Sequence, residues 1–109
     1  MNAWELIAPG ERAVVVFTHG PHFVRREDGS GSAGNWKINL ARRFDRVIIY
    51  HRLDSATANE VYTADADGMV VSEEEGRRTI LLKNVRYRGS TTANWREFAN
   101  GRQNPVRYL

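Results

Sequence analysis

The chain has 109 residues and a mass of 12.4 kDa, of which 41% are hydrophobic and 10% aromatic; this suits one globular domain with its own core and excludes a disordered composition. It contains no cysteine, which rules out disulfides, thiolate nucleophiles and cysteine metal sites and fits a reducing cytoplasm. The net charge of +3 hides an asymmetry: residues 77–109 carry eight basic residues against one acid (+7), whereas residues 1–76 carry eight against twelve (−4).

No apolar run approaches the roughly 20 residues of a membrane-spanning helix, and the opening MNAWELIAPGER lacks the basic and apolar regions of a secretion signal. The expectation is a single domain over residues 1–109, cytoplasmic and with no membrane partner, its oligomeric state left open.

In chain order, residues 13–18 (AVVVFT) form a β-branched run without polar alternation, as expected of a strand covered on both faces. Residues 25–35 (RREDGSGSAGN) are Gly- and Ser-rich and lack apolar anchors, so a mobile loop is expected there. A short helix near 37–44 would place Ile38, Ala41 and Arg42 at helical spacing. Residues 46–52 (RVIIYHR) read as a core strand, with Val47, Ile49 and His51 on one side and Ile48, Tyr50 and Arg52 on the other.

Residues 60–66 (EVYTADA) alternate more weakly, and Asp67-Gly68 is a hairpin signal between them and MVV. Glu73-Glu74-Glu75-Gly76 reads as a solvated turn. The run 78–88 (RTILLKNVRYR) predicts a long strand with Thr79, Leu81, Val85 and Tyr87 on one face and Ile80, Leu82, Arg86 and Arg88 on the other. Asn94 can cap a short helix that ends at Asn100-Gly101, with Glu97 three residues on and Trp95, Phe98 and Ala99 sharing a face. Residues 105–109 (PVRYL) close the chain as a short strand. The fold expected from these elements is mostly β, of α+β type: a small β-barrel or strongly bent sheet with one or two short helices.

Complete catalytic signatures are absent. There is no GxSxG, SxxK, HExxH, GxxxxGK[ST] or GxGxxG, so no catalytic residue, metal or cofactor is assigned. His19 and His22 flank Gly20-Pro21 and read as turn or surface residues, with His51 at a pocket wall or hydrogen-bonded in the core. Residues 63–74 put Asp65, Asp67, Gly68 and Glu74 at calcium-loop spacing, but Thr63 stands in the first place and the flanks read as strands, which favours a turn. Any enzyme chemistry would need His19, His22, His51, Asp45 or Glu60 to be assembled by the fold.

What the sequence offers is arginine beside flat rings. Fourteen of the sixteen basic residues are Arg, whose planar fork grips phosphate and stacks on rings. Tyr87, Trp95, Phe98 and Tyr108 are interleaved with the basic run, and base-on-ring stacking is worth about 1 to 3 kcal/mol per base. Asn84 and Asn94 are amides able to read base edges.

The segments GNWKIN (34–39), FDRVIIYHR (44–52) and NEVYTADADGMV (59–70) resemble the PUA-like superfamily, which includes the EVE, ASCH and YTH groups. In that family a Gly-Asp-led strand ending in Tyr follows a Trp-bearing segment; here Phe44-Asp45 stands in place of Gly-Asp, and residues 1–33 fall outside the likeness. The resemblance implies a small β pseudobarrel that binds RNA or modified bases, with Trp36, Tyr50 and Trp95 around a flipped base.

The expected function is therefore a nucleic-acid or modified-base binding module whose partner is nucleic acid or a nucleotide, with enzyme activity left open. Arg77, Arg78, Arg86, Arg88, Arg96 and Arg102 would hold phosphates, while Trp36, Tyr50, Tyr62, Asn84, Asn94 and Trp95 would line an aromatic cleft. Two alternatives are capture of a free signalling nucleotide and a small hydrolase built on the histidines.

Overall fold

The computed structural model describes residues 10–19, 22–36, 44–52, 59–72, 76–91 and 106–108. They form seven strands: β1 (Ala13–His19), β2 (Phe23–Arg25), β3 (Gly31–Trp36), β4 (Arg46–Arg52), β5 (Asn59–Val71), β6 (Arg78–Thr91) and β7 (Val106–Tyr108). All seven join one mixed sheet in the order β2-β3-β6-β5-β4-β1-β7, in which only β1 and β4 run parallel. The sheet is open and does not close into a barrel. No helix occurs among the described residues, and none there is long and apolar enough to cross a membrane. The helix expected at 94–100 and most of the one at 37–44 lie outside the described residues.

The centre follows from the β-branched runs. Val14, Val15, Val16, Val47, Ile48 and Ile49 are fully buried, because β1 and β4 have neighbours on both edges and cover on both faces. Side chains separate into two clusters as strand alternation requires. Val14, Val16, Val47, Ile49, Tyr62 and Ala64 belong to the larger core, while Ala13, Val15, Ile48, Tyr50 and Val61 make a smaller one on the opposite face.

The sheet is strongly bent. Four strand intervals separate β2 from β4, which in a flat sheet would hold them about 19 Å apart; instead Phe23 and His51 touch, ring centroids 5.2 Å apart. β2 has folded over the larger cluster, whose face is therefore concave. The bend has local causes, since the β5–β6 ladder shifts register between Val61 and Tyr62, between Thr63 and Asp65, and between Ala66 and Met69. Each bulge adds twist and bends the strand that carries it.

Two turns fall elsewhere than the sequence predicts. Asp67-Gly68 is not a hairpin turn but a bulge inside β5, with Gly68 at φ +103°; the chain reverses beyond it, where Ser72 N donates to Arg77 O across the Glu73–Gly76 segment. The stretch 25–35 is not a loop but most of a hairpin. Asp28 accepts hydrogen bonds from the Ser30 N–H (2.9 Å) and hydroxyl (2.6 Å), Gly29 takes φ +88°, and Arg26 N donates to Ser30 O, so the turn is fixed by Asp-Gly chemistry. Those hydrogen bonds hold the Asp28 carboxyl below its ordinary pKa.

Candidate functional site

At one end of the concave face the strands gather polar and aromatic side chains. β5 presents Glu60 and Tyr62 two residues apart and hence on the same face. β4 places His51 opposite Glu60, and β6 places Tyr87 opposite Tyr62. From above, β2 adds Phe23, 4.9 Å from the Tyr62 ring, and Arg25, whose guanidinium carbon lies 4.9 Å from the centre of that ring. The Tyr62 and Tyr87 rings meet at 5.5 Å. The result is an Arg25–Tyr62–Tyr87 ladder in which Tyr62 is only 5% exposed and Tyr87 is 54% exposed. An arginine over a ring and a ring with an open face are the parts a base and its phosphate require.

Electrostatics fix the inner part of the ladder. The Tyr62 hydroxyl donates to Glu60 Oε2. Burial first, then the hydrogen bond and charge of Glu60, push the Tyr62 pKa up from 10 to about 12, against the opposing pull of Arg25. The phenol is thus a proton donor throughout the neutral range and Glu60 its acceptor. Thr18 faces His51 from β1 and is buried, and its hydroxyl has no hydrogen-bond partner among the described residues.

Outside the ladder, the described residues leave one edge of β6 unpaired toward its C-terminal end. Its pairing with β3 ends at Leu82 opposite Gly31, and the 26–30 turn is tied to it once more, by Val85 N donating to Gly29 O at 2.9 Å. Beyond Val85 no described strand lies on that side of β6. Arg86 and Arg88 are exposed and flank Tyr87 in the chain, but they lie on the opposite face of β6, since Arg86 pairs with Thr63 and Tyr87 with Tyr62. Arg88 Nε donates to Thr63 Oγ1 at 2.9 Å, whereas Arg86 has no polar partner among the described residues.

The predicted site residues are distributed as follows. Trp36 (5% exposed) and Tyr50 (0%) are core residues, Trp36 in the larger cluster and Tyr50 edge-on to Phe17 at 4.7 Å in the smaller; neither turns an open ring face outward. Asn84 takes φ +53° in a β6 bulge, and its amide donates to Asp65 Oδ2 at 2.9 Å, which gives it a structural task. Among the described residues the arginines do not converge. Arg77 and Arg78 stand at the β5–β6 turn, and Arg88 lies ten residues further along the strand than Arg78. Asn94, Trp95, Arg96 and Arg102 lie outside the described residues.

His51 is buried against Phe23, His22 is exposed just before β2, and among the described residues no group of three or more His, Asp or Glu could hold a metal ion. The calcium-like spacing at 63–74 falls mainly within β5.

Arg25 is the contributor that sequence reasoning misses. Its signal was present, because Phe23-Val24-Arg25 alternates and Asp28-Gly29 is a hairpin dipeptide. Compared with known proteins, the chain matches no family model, no curated protein and no solved structure, so the PUA-like likeness rests on its three sequence segments alone.

Proposed function

We propose that the chain is a binding module for single-stranded nucleic acid, which it engages along the edge of β6 that the described residues leave unpaired. The supporting observation is the half-open ring of Tyr87 at the end of the Arg25–Tyr62 stack, with exposed Arg86 and Arg88 next to it in the chain. A base stacks on Tyr87 with the adjoining phosphate at Arg25 on the same face, while Arg86 and Arg88, on the opposite face of β6, meet the flanking phosphates where the strand passes round the edge that the described residues leave unpaired. A single strand fits better than a duplex, since its bases are free to leave the stack and lie on a ring.

Titration of a labelled single-stranded oligonucleotide, followed by fluorescence anisotropy, tests this reading. Tyr87→Ala is expected to weaken binding by about 1 to 3 kcal/mol, the usual worth of one base stacked on an aromatic ring. Unchanged affinity in Tyr87→Ala would overturn the assignment. Mononucleotides competing as well as the oligonucleotide would instead favour capture of a free nucleotide.

A further inference from the structure

Glu60 stands at the inner end of the Tyr87 platform with one carboxylate oxygen engaged. Tyr62 donates to Oε2, and among the described residues no donor reaches Oε1. The side chain is half-buried, on the same concave face as Tyr87 and diagonal to it across the β5–β6 pair, because Tyr62 faces Tyr87 while Glu60 faces Ser90. In a regular pair such diagonal neighbours are about 7 to 8 Å apart; here the bulge that inserts Arg88 lies between the two pairings. A base laid on Tyr87 would turn its Watson–Crick edge along the same face toward Glu60.

Resting on the function proposed above, we infer that Glu60 reads the base stacked on Tyr87, selecting guanine through its adjacent N1–H and N2–H donors and rejecting uracil. An ionised carboxylate only accepts hydrogen bonds and has about four lone-pair sites, of which Tyr62 uses one. Guanine offers two donors side by side, so it can pair with the carboxylate in a charge-assisted, bidentate way. Uracil offers one N–H between two carbonyl oxygens, which a carboxylate repels. Adenine and cytosine each bring one amino donor beside an acceptor nitrogen and fall between. Tyr62 acts as a positioning residue, since its hydrogen bond holds Glu60 in one orientation with Oε1 open.

The test uses three oligonucleotides in anisotropy titrations: all-uridine, the same strand with one central guanosine, and the same strand with inosine in that place. Inosine keeps N1–H and lacks the amino group. The guanosine strand is expected to bind about 5- to 150-fold tighter than all-uridine, the range of one good bidentate contact, with inosine intermediate. Glu60→Gln is expected to remove most of the difference between guanosine and uridine strands, because the amide has one acceptor oxygen where the carboxylate has two. Equal binding of the first two strands by the wild-type protein, with Tyr87→Ala still weakening both, overturns the role of Glu60 and leaves the nucleic-acid reading intact. No binding of any strand overturns both. The inosine comparison requires no mutation and so does not depend on the variant folding.

Discussion

Phe23 and His51 meet edge to face, 5.2 Å between ring centroids, although four strand intervals lie between β2 and β4. That contact turns a seven-stranded sheet into a cup. It also brings Arg25, two residues beyond Phe23, over the ring of Tyr62, so the bend that builds the core builds the candidate site as well.

Phe23→Ala should accordingly cost both stability and binding. Removing a buried phenylalanine ring loses about 3 to 5 kcal/mol when the neighbours do not refill the space. Urea unfolding of the variant is expected to show a loss of that order. A loss under about 1 kcal/mol, the scale of a surface substitution, would mean that β2 does not close over β4.

Gly31 begins β3 where β2 passes closest. A Cβ at this position would lie 2.3 Å from the carbonyl oxygen of Val24, a backbone atom that cannot rotate away. Gly31→Ala is therefore expected to destabilise the fold by about 1 to 3 kcal/mol, seen as a lower midpoint in thermal unfolding. A midpoint equal to that of the wild type would show that the hairpin is looser than described.

Tyr62 predicts the alkaline limb of the stability curve. Its folded pKa, about 12, lies above the ordinary 10, so the unfolded chain loses this proton first. The stabilisation from the protonated phenol is complete below pH 10 and is lost as pH rises toward 12, at up to about 1.4 kcal/mol per pH unit. Spectroscopic titration of tyrosinate should show one late-ionising group fewer in Tyr62→Phe than in the wild type, and that group should move to lower pH in Glu60→Gln. Equal numbers of late-ionising groups in Tyr62→Phe and wild type would assign the shift elsewhere.

Salt dependence separates the two ends of β6. For single strands the log–log slope of affinity against salt changes by about 0.7 for each phosphate contact. Arg86→Ala and Arg88→Ala should each lower the slope by about that amount, whereas Arg78→Ala, at the other end of β6, should leave it unchanged. Equal effects at all three positions would point to a diffuse basic surface.

Much of the strand framework was legible in the sequence. The β-branched runs at 13–18 and 46–52 locate β1 and β4, and alternation assigns Val47 and Ile49 to one face and Ile48 and Tyr50 to the other, as observed. The faces of β6 were not legible, for a definite reason. Period-2 reading sets Ile80 and Leu82 against Val85 and Tyr87, but the bulge at Asn84 inserts one residue, shifts the phase and returns all four to the concave side. Tyr87 thereby reaches Tyr62, and no pattern of apolar residues announces it. The burial of Trp36 and Tyr50 was not legible either, because a ring beside polar residues in sequence says nothing of whether the sheet will curl over it.

Chemical-shift mapping of the labelled protein with a single-stranded oligonucleotide locates the contact surface without mutation. The largest changes are expected at Arg25, Glu60, Tyr62 and residues 86–88, with little change at the exposed 69–71 end of β5. Changes centred on the turn at 77–78, or none anywhere at saturating oligonucleotide, would contradict binding at the Tyr87 end of β6.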